Sequence, residues 1–559
     1  MTEQLLPVFI LLPLIGGALA MTGKLFRPLA SLFRLFSLLP LLGVPALLVL
    51  TAPGVFSGQT LMVSLGGWPE PCGISLVMDG FAWVSAVLVG GIGLLVALFA
   101  LSWPKYDSTF FLFYHLLLAG MYIVVFTGDL FTMFVGFEII ALAAYVLIAF
   151  EKTPTGLVAS FKYLMLSSTG ILFFLFGIFL IYRDLGTLSI AVVRDALAEA
   201  GGIRNTRIIH LALASLCVGI GVRTAFIPFH TWLPEAHAYA PHPVSALLSG
   251  VLIKISYFAM VRLLLQFGGA YLFDLLLWIG AVTALVAVIS ALAQSDAKRL
   301  LAYHSISQMG YILAVFSAGS AVALTASFAH ALNHALFKTL LFLTVGTAVE
   351  RGGDRNLYRL KPGGRQTPLF AAAYMIGALS ISGIPPFNGY VSKNLITLGM
   401  KGSPAYILLW ITGFCTLASF IKLSRIYLPG PKAAEKNLPD PVREDVKTIK
   451  RPGFSAGAAV TILAALCLGT GIFGFSAAGI LHRLFYGVKI PVSLSLFSRE
   501  KLFSLLPTVG LGIAVFFLVT SGKGKTLASR IKNLAPNLET VLMLFFTGLL
   551  LFSTAAYLP

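Results

Sequence analysis

Charge is what this chain has least of. Of its 559 residues only 11% are Asp, Glu, Lys or Arg, while 58% are hydrophobic; a soluble domain averages about 25% charged residues. That scarcity excludes an ordinary water-covered surface, and a mean hydropathy of +0.93 points to a polytopic, all-α membrane protein. Acids are scarcer still, 21 against 39 bases, for a net charge of +18. In a soluble protein such a balance would raise nucleic acid as a partner. Here the bases fall in short loops between apolar runs, where they orient a chain in a bilayer, and no nucleic-acid partner is expected. Cysteine is almost absent: Cys72, Cys217, Cys415 and Cys467 are scattered, three of them within apolar runs, with no CxxC and no metal-ligand spacing. No haem-ligand pair and no iron–sulfur cysteine set occurs, so no cofactor or metal is expected and any redox chemistry belongs to other chains. The first apolar run follows Glu3 with no base before it, so it lacks the positive leader of a cleaved signal peptide and reads as a retained first span.

What is present is a succession of about sixteen apolar runs long enough to span a bilayer, starting near residues 5, 29, 79, 108, 129, 157, 207, 242, 272, 299, 320, 366, 404, 455, 500 and 537. Loops after odd-numbered spans hold most of the bases, among them Lys24, Lys105, Lys152, Lys298, Arg299, Arg351 and Arg355. With an even number of spans, this bias leaves both termini outside and the basic loops in the cytoplasm of a bacterial or archaeal cell. Residues 183–207 include an amphipathic patch that predicts a helix lying along the membrane surface. Residues 429–453, rich in proline and charge, predict an exposed cytoplasmic linker.

Against this apolar background a few ionisable side chains stand inside the runs themselves: Glu138, Arg223, Lys254 and Lys338. A charge near the bilayer centre costs from about 2.5 to more than 10 kcal/mol, so such groups pair, face water or move charge. Proton or ion translocation is the leading expectation. Two runs are also broken by proline close to a cation, Arg223 before Pro228 and Pro385–Pro386 before Lys393. Proline frees backbone groups that lipid cannot satisfy. Breaks in corresponding spans of two halves, the seventh and twelfth, predict a transporter with inverted repeats and an ion path at mid-depth.

The segments FVGFEIIALAAYVLI, VRTAFIPFHTWLPEAHAYAPHPVSALLSGVLIKISYF, SDAKRLLAYHSISQMGYI, NHALFKTLLFLTVG and SGIPPFNGYVSKNLI, in this order between about residues 75 and 430, resemble the antiporter-like subunits of respiratory complex I. Subunits of Mrp-type sodium/proton antiporters and of membrane-bound hydrogenases share the pattern. Lys254, with Ser249 where the long L-type subunit usually has histidine, makes the chain more similar to the Mrp D-type and complex I M/N-type subunits.

The resemblance implies a core of about fourteen helices with two inverted five-helix repeats containing broken helices, plus about two extra C-terminal helices. Its divisions are residues 1–107 (helices 1–3), 108–268 (first repeat), 269–428 (second repeat), 429–453 (linker) and 454–559 (helices 14–16). It also implies a central string of ionisable groups: Glu138, the seventh-helix cation, Lys254, the pair His334 and Lys338, and Lys393; this chain adds His304, where the family more often has a small polar residue. The seventh-helix cation is usually lysine and is Arg223 here. Because a guanidinium stays protonated, Arg223 reads as a fixed positive gate for Glu138, and proton transfer falls to Lys254 and Lys338. His304 titrates in the right range to bridge them but lies close to the charged SDAKR loop. His330 and His334 share a helix face without further ligands for a metal. His230, Glu235, His237 and His242 read equally as part of the signature and as surface capping, and Lys162 as a snorkelling end residue. The expected function is a proton-translocating membrane subunit of a respiratory or energy-converting complex. Its expected partners are other membrane subunits, protons and lipid, with sodium added if it is instead an Mrp-type antiporter subunit.

Overall fold

The computed structural model describes residues 2–68, 73–199, 206–360, 367–428, 452–490 and 499–533, and residues 543, 546–548 and 550 of the last segment. Cys72, residues 429–451 of the expected linker and most of the expected final span lie outside the described residues.

Three helices open the chain, α1 (Leu6–Leu25), α2 (Ala30–Phe36) and α3 (Leu39–Phe56). An antiparallel hairpin follows, β1 (Leu61–Ser64) and β2 (Ser75–Met78), with Leu61 opposite Met78. Then come α4 (Gly80–Ala100), α5 (Ser108–Phe126), α6 (Leu130–Ile148), α7 (Pro154–Leu185), the short α8 (Ile190–Glu199) and α9 (Thr206–Thr224). After a break the chain continues as α10 (Leu233–Tyr239), α11 (His242–Leu247), one π turn at Leu248–Leu252, and α12 (Ile253–Phe267). The second half holds α13 (Ala270–Ala293), α14 (Ala297–Ser317), α15 (Ala321–Gly352), α16 (Pro368–Ser382), α17 (Asn388–Gly399) and α18 (Tyr406–Leu423). Last are α19 (Phe454–Ile472), α20 (Gly474–Tyr486), α21 (Arg499–Phe503), α22 (Leu506–Thr520) and α23 (Gly522–Asn533).

Several of the scarce acids sit at helix starts, where orphan amides and the helix dipole both favour an oxygen acceptor. Asp79, Asp107, Asp129 and Asp296 cap α4, α5, α6 and α14 by accepting backbone N–H groups. An acid used this way at a membrane surface is not available to neutralise a cation at mid-depth.

Among the described residues, eleven helices are long and apolar enough to cross a membrane, or twelve if the bent pair α22 and α23 is one span. Eleven of the expected runs coincide with these. Two others, starting near 207 and 366, are cut short by the breaks and survive as Ile208–Thr224 and Pro368–Ser382. The run at 299 is α14, which is long enough but carries a buried polar stripe. The run at 500 is α22 turning by 83° into α23. The chain is therefore an integral, multi-pass membrane protein.

Contacts between loops fix one common face. Lys105 after α4 meets Glu151 after α6 at 3.0 Å and Glu350 at the end of α15 at 2.8 Å. Arg355 after α15 reaches Asp296 before α14 at 3.1 Å, and Asp296 bridges to Asn356. These are loops the positive-inside bias assigns to the cytoplasm. At the other ends of the helices, bridges join Leu76 to Thr127 and Asp129 to Ser189. There α8 buries Ile190 and Val193 and exposes Arg194 and Asp195, the amphipathic helix expected at the membrane surface.

Helices α13 and α14 pack with almost no gap. Gly280 on α13 and Gly310 on α14 allow backbone to meet backbone: a Cβ at Gly310 would come within 2.5 Å of the Ala284 amide nitrogen and 2.6 Å of the Gly280 carbonyl. Small residues at membrane helix crossings permit such approach, and Ser307 Oγ closes it by donating to Ala284 O at 2.8 Å. Gly310→Ala is thus expected to destabilise by about 1–3 kcal/mol, read as a lower melting temperature of the detergent-solubilised protein. An unchanged melting temperature would show that α13 and α14 can separate freely.

Candidate functional site

Four lysines are buried in the helical bundle, Lys254, Lys298, Lys338 and Lys422, and Lys393 is half-buried. None is paired with a carboxylate among the described residues. Each instead donates to backbone carbonyls, mostly ones left free by a helix end or an irregularity. Lys254, on the first turn of α12, turns back to the Ser249 carbonyl within the π turn, whose changed hydrogen-bond register frees it. Lys298 donates to Ala240 O, just past α10, at 2.6 Å. Lys422 binds Leu292 O and Gln294 O at the end of α13, both at 2.6 Å. Lys393 on α17 reaches across the second break to Ile381 O of α16 at 2.8 Å. It passes over Gly383, whose φ of +77° and closeness to the lysine chain (a Cβ would sit 2.8 Å from Cδ) both require glycine. Lys338 on α15 donates to Leu301 O of α14 at 2.6 Å and lies 5.7 Å from the Phe342 ring.

Helix ends carry negative partial charge on their carbonyls. Such dipoles hold an ammonium, but less firmly than a carboxylate would.

Polar side chains join these cations. Ser249 and Ser305 share a hydrogen bond at 2.7 Å between the π turn and α14. His334 is fully buried, neither ring nitrogen has a hydrogen-bond partner among the described residues, and Lys254, Lys338, His330 and His304 all lie within its electrostatic reach. His330 binds Gln308 Oε1 through Nε2 and Ser392 Oγ through Nδ1, both at 2.9 Å, and Ser392 adjoins Lys393. His304 is fully buried rather than at the surface, with Nε2 2.7 Å from Ser419 Oγ on α18.

Glu138 and Arg223 form a cation–carboxylate contact in which only the cation is buried. Arg223, 1% exposed, sits in the last turn of α9, with Nη2 3.6 Å from Glu138 Oε1 on α6 and its guanidinium 4.8 Å from the Phe137 ring. None of its three nitrogens makes a hydrogen bond among the described residues. Glu138 is 45% exposed and shares the outer face of α6 with the exposed apolar side chains Phe131, Val135 and Leu142. The break after Arg223 is internally satisfied: Trp232 Nε1 donates to Val222 O at 2.7 Å and the Ile227 amide to Thr283 Oγ1 at 3.0 Å.

The arrangement brings Lys254, His304, His334 and Lys338 together in the centre, with His330 within electrostatic reach of both Lys254 and Lys393. Sequence reasoning left three buried groups outside the path. Lys298, read as a loop charge, folds under Ala240. His237, read almost equally as part of the family signature and as surface capping, is fully buried within electrostatic reach of Lys254, Lys338 and Lys298. Lys422 was not singled out at all. The polar spacing of α14, with Lys298, His304, Ser305 and Gln308 on an otherwise apolar helix, was the signal available for the first. Lys162, read as a snorkelling end, pairs with Glu235 at 2.7 Å, which also meets Arg299 at 3.3 Å.

A profile of the family described as NADH:quinone oxidoreductase/Mrp antiporter, transmembrane, matches residues 127–421. The N-type subunit of the NADH-quinone oxidoreductase of Desulforudis audaxviator is 32% identical over 452 residues, covering 79% of this chain and 88% of its own. The D-type subunit of the Na(+)/H(+) antiporter of Alkalihalophilus pseudofirmus is 30% identical over 423 residues, covering 74% and 85%. A chain of an archaeal respiratory membrane complex, the membrane-bound sulfane sulfur reductase, superposes with a TM-score of 0.75 at 28% identity, covering 86% of this chain and 96% of that one.

Proposed function

Because the chain belongs to the NADH:quinone oxidoreductase/Mrp antiporter transmembrane family, we propose that it is the proton-translocating membrane subunit of a multisubunit respiratory or energy-converting complex. The path runs through Glu138, Arg223, Lys254, His304, His334, Lys338 and Lys393. The observation that carries the reading is the set of mid-depth ammonium groups held by carbonyl dipoles and interleaved with histidines. A structural ion pair would use a carboxylate partner; a relay needs donors that can let go.

Within this path Arg223 is a fixed charge and Glu138 its movable partner. Opening that pair changes the field at Lys254, whose proton passes by way of Ser249, Ser305 and the central histidines toward Lys338 and on to Lys393. The two helix breaks belong to two inverted five-helix repeats, residues 108–268 and 269–428, each supplying half of the route.

Glu138 also speaks for a role within a larger complex rather than as a free-standing transporter. A half-exposed carboxylate among Phe131, Val135 and Leu142 would face hydrocarbon in an isolated chain, at a cost of several kcal/mol. A neighbouring membrane subunit covering this face of α6 removes the cost. With no redox motif in the sequence, the driving reaction belongs to such partners.

The second reading, a component of an Mrp-type Na+/H+ antiporter, draws on the similarity to the D-type antiporter chain and uses the same residues. Proton and sodium fluxes in vesicles carrying the assembled complex test both. Lys254→Ala is expected to cut proton movement by about 10²-fold, the scale of a lost proton-transfer group. Retained pumping refutes the proton path, and sodium movement that vanishes together with it favours the antiporter.

A further inference from the structure

The relay through the buried lysines needs a place where protons leave the cytoplasm, and the groups that build one stand apart from it on the basic face. His242 opens α11, the helix that runs through the π turn to Lys254. Its Nε2 stands 3.3 Å from Glu350 Oε2 at the end of α15, and the ring is 12% exposed. Glu350 Oε1 accepts from Lys105 Nζ at 2.8 Å, and Lys105 also meets Glu151 at 3.0 Å. Other contacts press the imidazole against α15: a Cβ on Gly346 would lie 2.5 Å from its Cγ. Its Nδ1 is buried with no hydrogen-bond partner among the described residues.

The charged groups facing His242 are Glu350 on α15, Lys298 on α14 and Lys105 in the loop before α5, with Glu151 behind Lys105. Lys298 in turn is fastened to Ala240 O, two residues before His242, and lies within reach of His237, which faces Lys254 and Lys338. Close contacts thus lead from two partly exposed carboxylates to one imidazole, which lies within electrostatic reach of the buried Lys298.

We propose that His242 and Glu350 form the proton-collecting mouth of this subunit, with Lys105 as the positioning residue that holds the Glu350 carboxylate in place. The inference rests on the proton-translocation reading and adds where its protons are gathered. Water delivers a proton to Nε2 of the neutral imidazole at its exposed edge, and the adjacent Glu350 carboxylate stabilises the doubly protonated ring. Release of the proton on Nδ1 inward, on the side of Lys298, restores a neutral imidazole, so one proton enters and one leaves. Lys105 does not carry it. Burial alone would lower its pKa, but Glu350 and Glu151 together raise it above the ordinary lysine value, so its ammonium stays charged. A static clamp between loops would use the same contacts, and pH separates the two. Protons are scarce at high pH, so an uptake group matters most there.

The test is proton movement by the full chain in its native complex, in inside-out vesicles, for His242→Asn and Glu350→Gln beside Lys338→Ala. Each of the first two variants is expected to be slowed by about 10-fold near pH 8 and by less than about 2-fold near pH 6. Added imidazole, a mobile proton carrier, is expected to restore His242→Asn near pH 8. Normal rates near pH 8 in both variants, with Lys338→Ala inactive, would overturn the inference and leave the translocation reading standing. Equal slowing at every pH without imidazole rescue, or failure of both variants to assemble, would assign the cluster to holding the loops together and equally overturn it. An active Lys338→Ala would sink the translocation reading itself.

Discussion

Replacing Lys338 with alanine is expected to lower coupled proton movement by about 10²-fold or more, the usual scale for a lost proton-transfer group, while the chain still inserts and assembles. The structure explains both parts. Lys338 is fully buried, points at α14 and has no carboxylate partner among the described residues, so its removal strands no opposite charge. The Leu301 carbonyl it leaves still accepts from Ser305 Oγ at 3.2 Å. What disappears is the ammonium that stands between His304 and His334 on this side of α15. Lys338→Arg sharpens the point. Arginine keeps the charge but never releases its proton under working conditions, so this variant is expected to be as inactive as the alanine. Proton movement followed with a pH-sensitive dye in membrane vesicles reads both. Activity in Lys338→Arg would mean that position 338 supplies field alone.

Glu138→Gln carries the second large expectation: loss of coupling together with weakened attachment of neighbouring subunits. The substitution leaves the Arg223 guanidinium buried with no anion beside it. Removing one member of a fully buried pair costs about 3–5 kcal/mol; the half-exposed carboxylate of the isolated chain makes the cost smaller here. Arg223→Lys is expected to behave in the opposite way. The guanidinium makes none of the forked hydrogen bonds that distinguish arginine from lysine, and it meets Glu138 at 3.6 Å as a simple charge. Pumping within about 2-fold of wild type is expected on that account. Pumping assays on both variants, with co-purification of partner subunits for Glu138→Gln, check the pair. An inactive Arg223→Lys would show that a permanent charge is required at this position.

Much of this site was readable along the chain because an ionisable group in the middle of an apolar run has few explanations. Glu138, Arg223, Lys254 and Lys338 announced themselves that way, and the prolines beside Arg223 and Lys393 marked the breaks. Lys298, His237 and Lys422 were not readable. Each lies near a span end or loop, where a linear pattern cannot separate a cation facing solvent from one folded inward. Lys298 and Arg299 are neighbours in sequence, yet only Lys298 is buried, because successive helical positions diverge by about 100°. His304 suffered the same ambiguity, and about two turns of helix proved enough to carry it into the interior.

Composition and hydropathy alone determined that the chain crosses a membrane many times, and the charges within apolar runs made ion translocation the leading expectation, since lipid penalises unpaired charge whatever the fold. Only the tertiary structure decided what the buried cations bind. With so few acids, several of them used as helix caps, the ammonium groups turn to carbonyls that become free where α10, α13 and α16 end and where the π turn shifts register. Those carbonyls come from segments far apart in sequence as well as near, and packing of the helices brings them within reach.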